Sequence, residues 1–146
     1  MIAADTTVAL DGIIFGKPAT PAEAREMLVA LRGRPHEVHT AVCVVDPDLG
    51  REAASVHTAT VTMRNYSDAE IDHYIATGDP FDKAGGYAIQ HAAFRPVAAL
   101  SGCYLGVMGL SLCDLIPLLR DLDIPDRFDP AALVDAHHGY RHNVAE

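Results

Sequence analysis

Gly78-Asp79-Pro80-Phe81-Asp82-Lys83-Ala84-Gly85-Gly86-Tyr87-Ala88-Ile89-Gln90 reads as a polar, glycine-paired loop set between a capped helix and a short apolar segment. Pro80 fixes φ, and the Gly85-Gly86 pair permits backbone angles closed to other residues, both suited to a loop that bends closely around a ligand. Asp82 and Lys83 place a carboxylate beside an ammonium, and Gln90 adds an amide that both donates and accepts. A solvated surface turn uses the same Asp, Gly and Pro, so from these residues alone both readings stand.

Working back from the loop, Ser67-Asp68-Ala69-Glu70 is a capping box, and Ile71, Tyr74 and Ile75 line one side of the short helix it starts. Residues 56–66, rich in Val and Thr, predict a long strand antiparallel to one at 36–45, with Asp46-Pro47-Asp48-Leu49-Gly50 as the turn between them. Thr20-Pro21-Ala22-Glu23 combines a capping box with proline at the first helical position. Ala24, Met27, Leu28 and Leu31 then form an apolar stripe, and Gly33 ends the helix. The chain opens on a strand over 2–10, which Asp11-Gly12 turns into Ile13-Ile14-Phe15 as a hairpin. Met1 is expected in or beside this buried strand with no lead-in, although chain starts are normally exposed.

Beyond the loop, residues 94–100 predict a strand that Pro96 confines to an edge or an irregularity. Residues 102–109 predict a bent, closely packed segment. Residues 112–122 have helical spacing, with Pro117 forcing the helix to start near Asp114 or to kink. Asp129-Pro130 starts a short terminal helix by the same cap-then-proline logic, and from Gly139 a frayed tail is expected.

At 146 residues, with 49% hydrophobic and 21% charged side chains, the chain suits one domain able to bury a core, and no apolar run is long enough to cross a bilayer. Lys+Arg 11 against Asp+Glu 20 gives a net charge of -9, which argues against an extended nucleic-acid surface but leaves room for a few local lysines to hold one anionic nucleotide. Cys43, Cys103 and Cys113 are odd in number, far apart and without CxxC spacing. Neither a disulfide framework nor a zinc site is indicated, a reducing cytoplasm is the natural compartment, and no export signal opens the chain.

Asp5, in Ala3-Ala4-Asp5-Thr6-Thr7-Val8, sits inside an apolar strand where an ionised carboxylate is costly unless paired or metal-bound. It is a candidate metal ligand or general base, or else merely the water-facing end of the strand. Lys17 and Lys83 are two ammonium groups able to converge on phosphates. His137, His138 and His142 lack a carboxylate or Cys partner at ligand spacing and read as a solvated tail rather than a metal cluster. No Gly-x-Ser-x-Gly elbow, Walker loop or His-Glu-x-x-His helix is present.

Taken in order, Ala4-Asp5-Thr6-Thr7-Val8, Gly16-Lys17-Pro18, Ser67-Asp68-Ala69-Glu70-Ile71, residues 82–90, and Gly102-Cys103-Tyr104 with Val107-Met108-Gly109-Leu110 resemble the Maf family of nucleoside triphosphate pyrophosphatases, over about residues 2–120. The Asp-Thr pair and the Asp-Lys-Ala-Gly…Gln loop look like the branch acting on dTTP and UTP. The resemblance implies an α/β fold, a mixed and largely antiparallel twisted sheet flanked by helices as in Maf and ITPase-like proteins, spanning residues 1–124 with an extension at 125–146. It implies hydrolysis between the α- and β-phosphates with a divalent cation, Mg or Mn. Asp5 would be the catalytic base and, with Asp82, a metal ligand. Lys17 and Lys83 would bind phosphate, while Thr6 and Gln90 would set base specificity.

The family's N-terminal strand, Ser-x-x-Arg-Arg phosphate loop and metal-binding Glu are missing here, so a reading frame beginning upstream is expected. The loss of an adjoining strand would expose a sheet edge, from which a homodimer is expected. Gly86, Ala88, His91, Gly106 and Ser111 depart mildly from the residues usual in the family. A catalytically inactive, nucleotide-binding or regulatory protein is the alternative to an enzyme. Neither nucleic acid nor membrane is expected as a partner.

Overall fold

The structure, a computed structural model, describes residues 1–126 and 128. The expected terminal helix at Asp129-Pro130, the tail and His137, His138 and His142 lie outside the described residues, as does most of the 125–146 extension. Strand β1 (Ile2–Leu10) turns at Asp11 and Gly12, with φ of 52° and 77°, into β2 (Ile13–Phe15). Positive φ at both central residues is the geometry that Asp-Gly supplies most readily. The register sets Val8 against Phe15, Ala9 against Ile14 and Leu10 against Ile13, antiparallel.

The Thr20 hydroxyl accepts the Glu23 N–H at 3.2 Å and starts α1 (Pro21–Leu31), which buries Ala24, Leu28 and Leu31. β3 (Pro35–Asp46) alternates strictly, burying His36, Val38, Thr40, Val42 and Val44. β4 (Arg51–Met63) begins earlier than its Val/Thr-rich part suggested and ends before Tyr66. The Ser67 capping box is complete: its hydroxyl accepts the Glu70 N–H at 3.3 Å and Glu70 Oε2 accepts the Ser67 N–H at 2.7 Å, opening α2 (Asp68–Ala76). Single-turn helices at Asp79–Asp82 and Ala84–Gly86 follow, then β5 (Val97–Ser101), α3 (Tyr104–Met108) and α4 (Leu112–Asp121). Strand order is β2-β1-β3-β4-β5, an antiparallel sheet in an α/β fold, with β5 at an edge directly after Pro96 as expected.

The chain packs as two compact units. One holds Met1–Thr6, His39–Ala59 and the described residues from Ser101 onward. Its core sets Val42 and Val44 against Leu115, Leu118, Leu119 and Leu122. Burying each such side chain stabilises by about 1.5–3 kcal/mol. That is why Pro117 is tolerated inside α4, which starts at Leu112, close to the expected Asp114: apolar burial on both sides of the proline outweighs about 3 kcal/mol of propensity. Met1 pairs with Val45 in both directions, at 2.7 and 2.8 Å, so the ladder does run to the first residue. The residue is 79% exposed, however, and the first half of β1 beside it is open to water rather than buried as expected.

The other unit holds Thr7–Val38 and Thr60–Leu100. Here α1 and α2 are joined by Asp68, which meets Arg25 at 3.0 Å and Arg32 at 2.7 Å. Behind them the buried Tyr66 donates its hydroxyl to the Leu28 carbonyl at 2.7 Å. Phe94 packs between Tyr74, stacked at 4.2 Å, and Tyr66 at 4.9 Å.

Candidate functional site

In the second unit the glycine-paired loop is fastened at its back and charged at its front. Gly85, at φ 73°, donates its N–H to the Gly16 carbonyl at 3.0 Å, and a Cβ there would stand 3.1 Å from Val8 Cγ1. This contact holds residues 82–86 against the Gly16-Lys17-Pro18 turn. Lys83 is gripped by three oxygens: Asp82 Oδ1 at 2.6 Å, Asp79 Oδ1 at 3.1 Å and the Asp79 carbonyl at 3.1 Å. Asp79 Oδ2 in turn accepts the Tyr74 hydroxyl at 2.6 Å, and the same Tyr74 oxygen accepts the Ala88 N–H at 3.0 Å.

The titration behaviour follows from these contacts. The hydrogen bond and charge of Lys83 lower the Asp82 pKa, with a weaker pull from Lys17. Burial works against ionisation of Asp79, but the Tyr74 bond and Lys83 outweigh it, so its pKa also falls. Burial likewise opposes the Lys83 charge, yet its two carboxylates raise its pKa. Tyr74 is pushed up, first by burial and then by its bond to Asp79. Lys17, Asp82 and Lys83 are thus brought together in this unit, with two lysines and two aspartates in one electrostatic group. Gln90 lies exposed at the end of the buried run 85–89.

In the first unit Asp5 is exposed, so the cost of burial that singled it out does not operate: neighbouring side chains leave this stretch of β1 open to water. Asp5 Oδ1 accepts the Thr6 N–H at 3.0 Å, and the Thr6 hydroxyl meets the Thr40 hydroxyl at 3.0 Å. Thr40, 1% exposed, donates onward to the Gly106 carbonyl at 2.7 Å. The Gly106 N–H reaches Cys103 Sγ at 3.3 Å, and the Cys103 N–H reaches His57 Nε2 at 2.8 Å. His57 Nδ1 lies 3.2 Å from Asp114 Oδ2, whose other oxygen accepts the Ser55 hydroxyl at 2.9 Å; Ser111 bonds the same carboxylate. A continuous polar relay therefore runs from Asp5 and Thr6 to the start of α4.

Sequence reasoning missed Thr40, Asp79 and Tyr74 as members of these networks. Thr40 had a signal, being a polar residue in phase with Val38, Val42 and Val44; Tyr74 had none, because its ring belongs to the apolar stripe of α2. Cys103 and Cys113, 10 positions apart in the chain, have sulfurs 3.4 Å from each other. Among the described residues no group of three or more His, Cys, Asp or Glu side chains is arranged to hold a metal ion, and no helix is long and apolar enough to cross a membrane.

Comparison with known proteins adds a second line. The chain is 48% identical over 124 residues to a dTTP/UTP pyrophosphatase of Bordetella parapertussis, covering 85% of this chain and 59% of the relative. It is 48% identical over 126 residues to a dTTP/UTP pyrophosphatase of Thermomicrobium roseum, covering 86% and 56%. It is 44% identical over 124 residues to a nucleoside triphosphate pyrophosphatase of Haemophilus ducreyi, covering 85% and 62%. The chain thus spans about three fifths of the length of these curated relatives. Residues 1–122 match the family described as Maf-like protein, and the chain belongs to that family.

Proposed function

We propose that the chain acts in hydrolysis of dTTP or UTP to the nucleoside monophosphate and pyrophosphate, in the cytoplasm. The observation that carries this reading is the Lys17, Asp82 and Lys83 group on a fastened glycine loop, in a chain nearly half identical to proteins named for that activity. Lys83 neutralises charge on the polyphosphate from a position already fixed by its carboxylates, and Lys17 adds a second ammonium from the adjoining turn. Thr6, held by Thr40, and Gln90 select the base through a hydroxyl and an amide. Asp5, one of whose oxygens is taken by the Thr6 N–H, accepts the proton of the attacking water through the other.

A divalent cation such as Mg²⁺ commonly binds through one or two carboxylates plus substrate phosphates, so a sparse protein donor set of this kind suits it. Asp82, its side chain 78% exposed, would offer it a carboxylate in the second unit, and Asp5 is proposed as a ligand in its own unit. When bound, it would offset negative charge on the substrate's phosphate groups. The chain is further proposed to pair with a second copy along β1, because β2 covers only Val8–Leu10 and the Ile2–Asp5 stretch stands exposed. Scattering from a concentrated solution that fits only a monomer would refute that pairing.

The function is tested by pyrophosphate release from dTTP and UTP with Mg²⁺ or Mn²⁺. Release is expected, with a loss of about a hundredfold or more in Asp5→Asn. Release that is absent overturns the proposal and favours the inactive alternative, whereas release equal in the variant overturns the role given to Asp5.

A further inference from the structure

We propose that Cys103 and Cys113 are an oxidisable dithiol, a reversible disulfide site built into the polar relay of the first unit. Their sulfurs are 3.4 Å apart, already in contact, whereas a disulfide needs about 2.05 Å. The residues differ in access. Cys103 is fully buried at the N-cap of α3, while Cys113 is exposed in the first turn of α4. This is the division of labour that thiol exchange requires, with one sulfur that reagents can reach and one that resolves the adduct from within. The third cysteine, Cys43, lies elsewhere, on β3.

The co-reactant is a small-molecule disulfide such as oxidised glutathione. The Cys113 thiolate attacks one sulfur, forming a mixed disulfide and expelling one glutathione thiolate. The deprotonated Cys103 sulfur then attacks Cys113 Sγ and expels the second. Two cysteine thiols and one oxidised glutathione give one protein disulfide and two reduced glutathiones, the two cysteine protons passing through solvent to the leaving thiolates. The hydrogen bond to Cys103 holds the Cys113 thiol protonated, so the reaction accelerates as pH rises.

The bond has a structural consequence. Cys103 Sγ accepts the Gly106 N–H at 3.3 Å, and the Gly106 carbonyl holds Thr40, which holds Thr6. Drawing Sγ toward Cys113 pulls it off the Gly106 amide and loosens that relay. Any effect on pyrophosphate release rests on the function proposed above, but the disulfide itself does not.

The full chain is incubated with oxidised glutathione at pH 8, and its disulfides are mapped by peptide mass spectrometry. Hydrogen exchange at the Gly106 amide is followed in parallel, with Cys113→Ser and Cys43→Ser as separate variants. The expected result is a single 103–113 bridge that is reversed by dithiothreitol and retained in Cys43→Ser, with Gly106 exchanging at least about tenfold faster. A stable glutathione adduct on Cys113 with Cys103 still a free thiol, or a bridge to Cys43, overturns the proposal. A 103–113 bridge with unchanged Gly106 exchange overturns its link to the relay. If the bridge forms while pyrophosphate release is absent in both redox states, it is the functional reading that fails.

Discussion

Gly85→Ala tests how the charged loop is held. The residue sits at φ 73°, in the left-handed region, where an L side chain costs about 1–2 kcal/mol. The new Cβ would also stand 3.1 and 3.3 Å from the two Cγ atoms of Val8, a side chain only 3% exposed that cannot swing into solvent. Overpacking of that kind adds about 1–2 kcal/mol. The sum is a loss of about 2–4 kcal/mol, or about 1–2 M in the urea midpoint at a slope near 2 kcal/mol per molar. The two causes separate in a double-mutant cycle. Val8→Ala removes the clashing methyls but not the strained φ, so in that background the cost of Gly85→Ala drops to about 1–2 kcal/mol. Equilibrium unfolding followed by circular dichroism gives both numbers. A cost below about 0.5 kcal/mol, or no coupling to Val8, would mean that the loop is not fastened in this way.

Thr40→Val keeps the shape of a fully buried residue but removes one of the two donors of the Gly106 carbonyl, which keeps the Gly109 N–H, and deprives the Thr6 hydroxyl of its partner; a loss of about 0.5–1.5 kcal/mol is expected, and a neutral result in urea titration would remove Thr40 from the relay. Tyr74→Phe preserves the stack on Phe94 but deletes the hydroxyl that bonds Asp79 and the Ala88 N–H, so the Asp79 pKa should rise, as read by carboxyl-carbon NMR titration; an unchanged value contradicts the network. Burial lowers the His36 pKa from 6.5 to about 4, against a backbone bond at Arg34 that raises it. The folded state therefore keeps His36 neutral while the unfolded chain takes up a proton below about pH 6.5, so stability present above that pH is lost as pH falls toward 4, by about 3 kcal/mol. His36→Gln should flatten that part of the stability profile, and an equally steep fall in the variant would assign it to other groups.

Much of the architecture was legible because local chemistry and tertiary packing agree. Asp11-Gly12 allows positive φ twice in succession, and Ser67 with Glu70 satisfies two backbone donors reciprocally; both features have the same outcome wherever they occur. The helical spacing over 112–122 is realised as α4, but that the helix runs through Pro117 depends on the apolar contacts of Leu115, Leu118, Leu119 and Leu122 with β3, which are not local in sequence. Asp5 was noticed for the wrong reason: an apolar neighbourhood in sequence is not burial in space, and the first half of β1 is open to water. That the charge of Lys17 is felt at Asp82, far along the chain, was not legible in spacing, since it depends on the Gly85 N–H reaching the Gly16 carbonyl.

The strongest physical argument for a binding role is where the freedom of Lys83 has gone. A surface lysine normally keeps about 2 kcal/mol of side-chain rotamer entropy, which it would surrender on meeting a ligand. Lys83 has already surrendered it to three oxygens, two of them carboxylate, on a loop held at Gly85. Its partners are unequal: Asp79 is anchored through Tyr74, whereas the Asp82 side chain is 78% exposed. Under the proposed function, a polyphosphate oxygen would replace Asp82 at the ammonium while Asp79 continued to aim it, an exchange of one anion for another. An exposed pair that served only stability would contribute little, about 0–1 kcal/mol, and would have no need of the buried tyrosine and strained glycine that support this one.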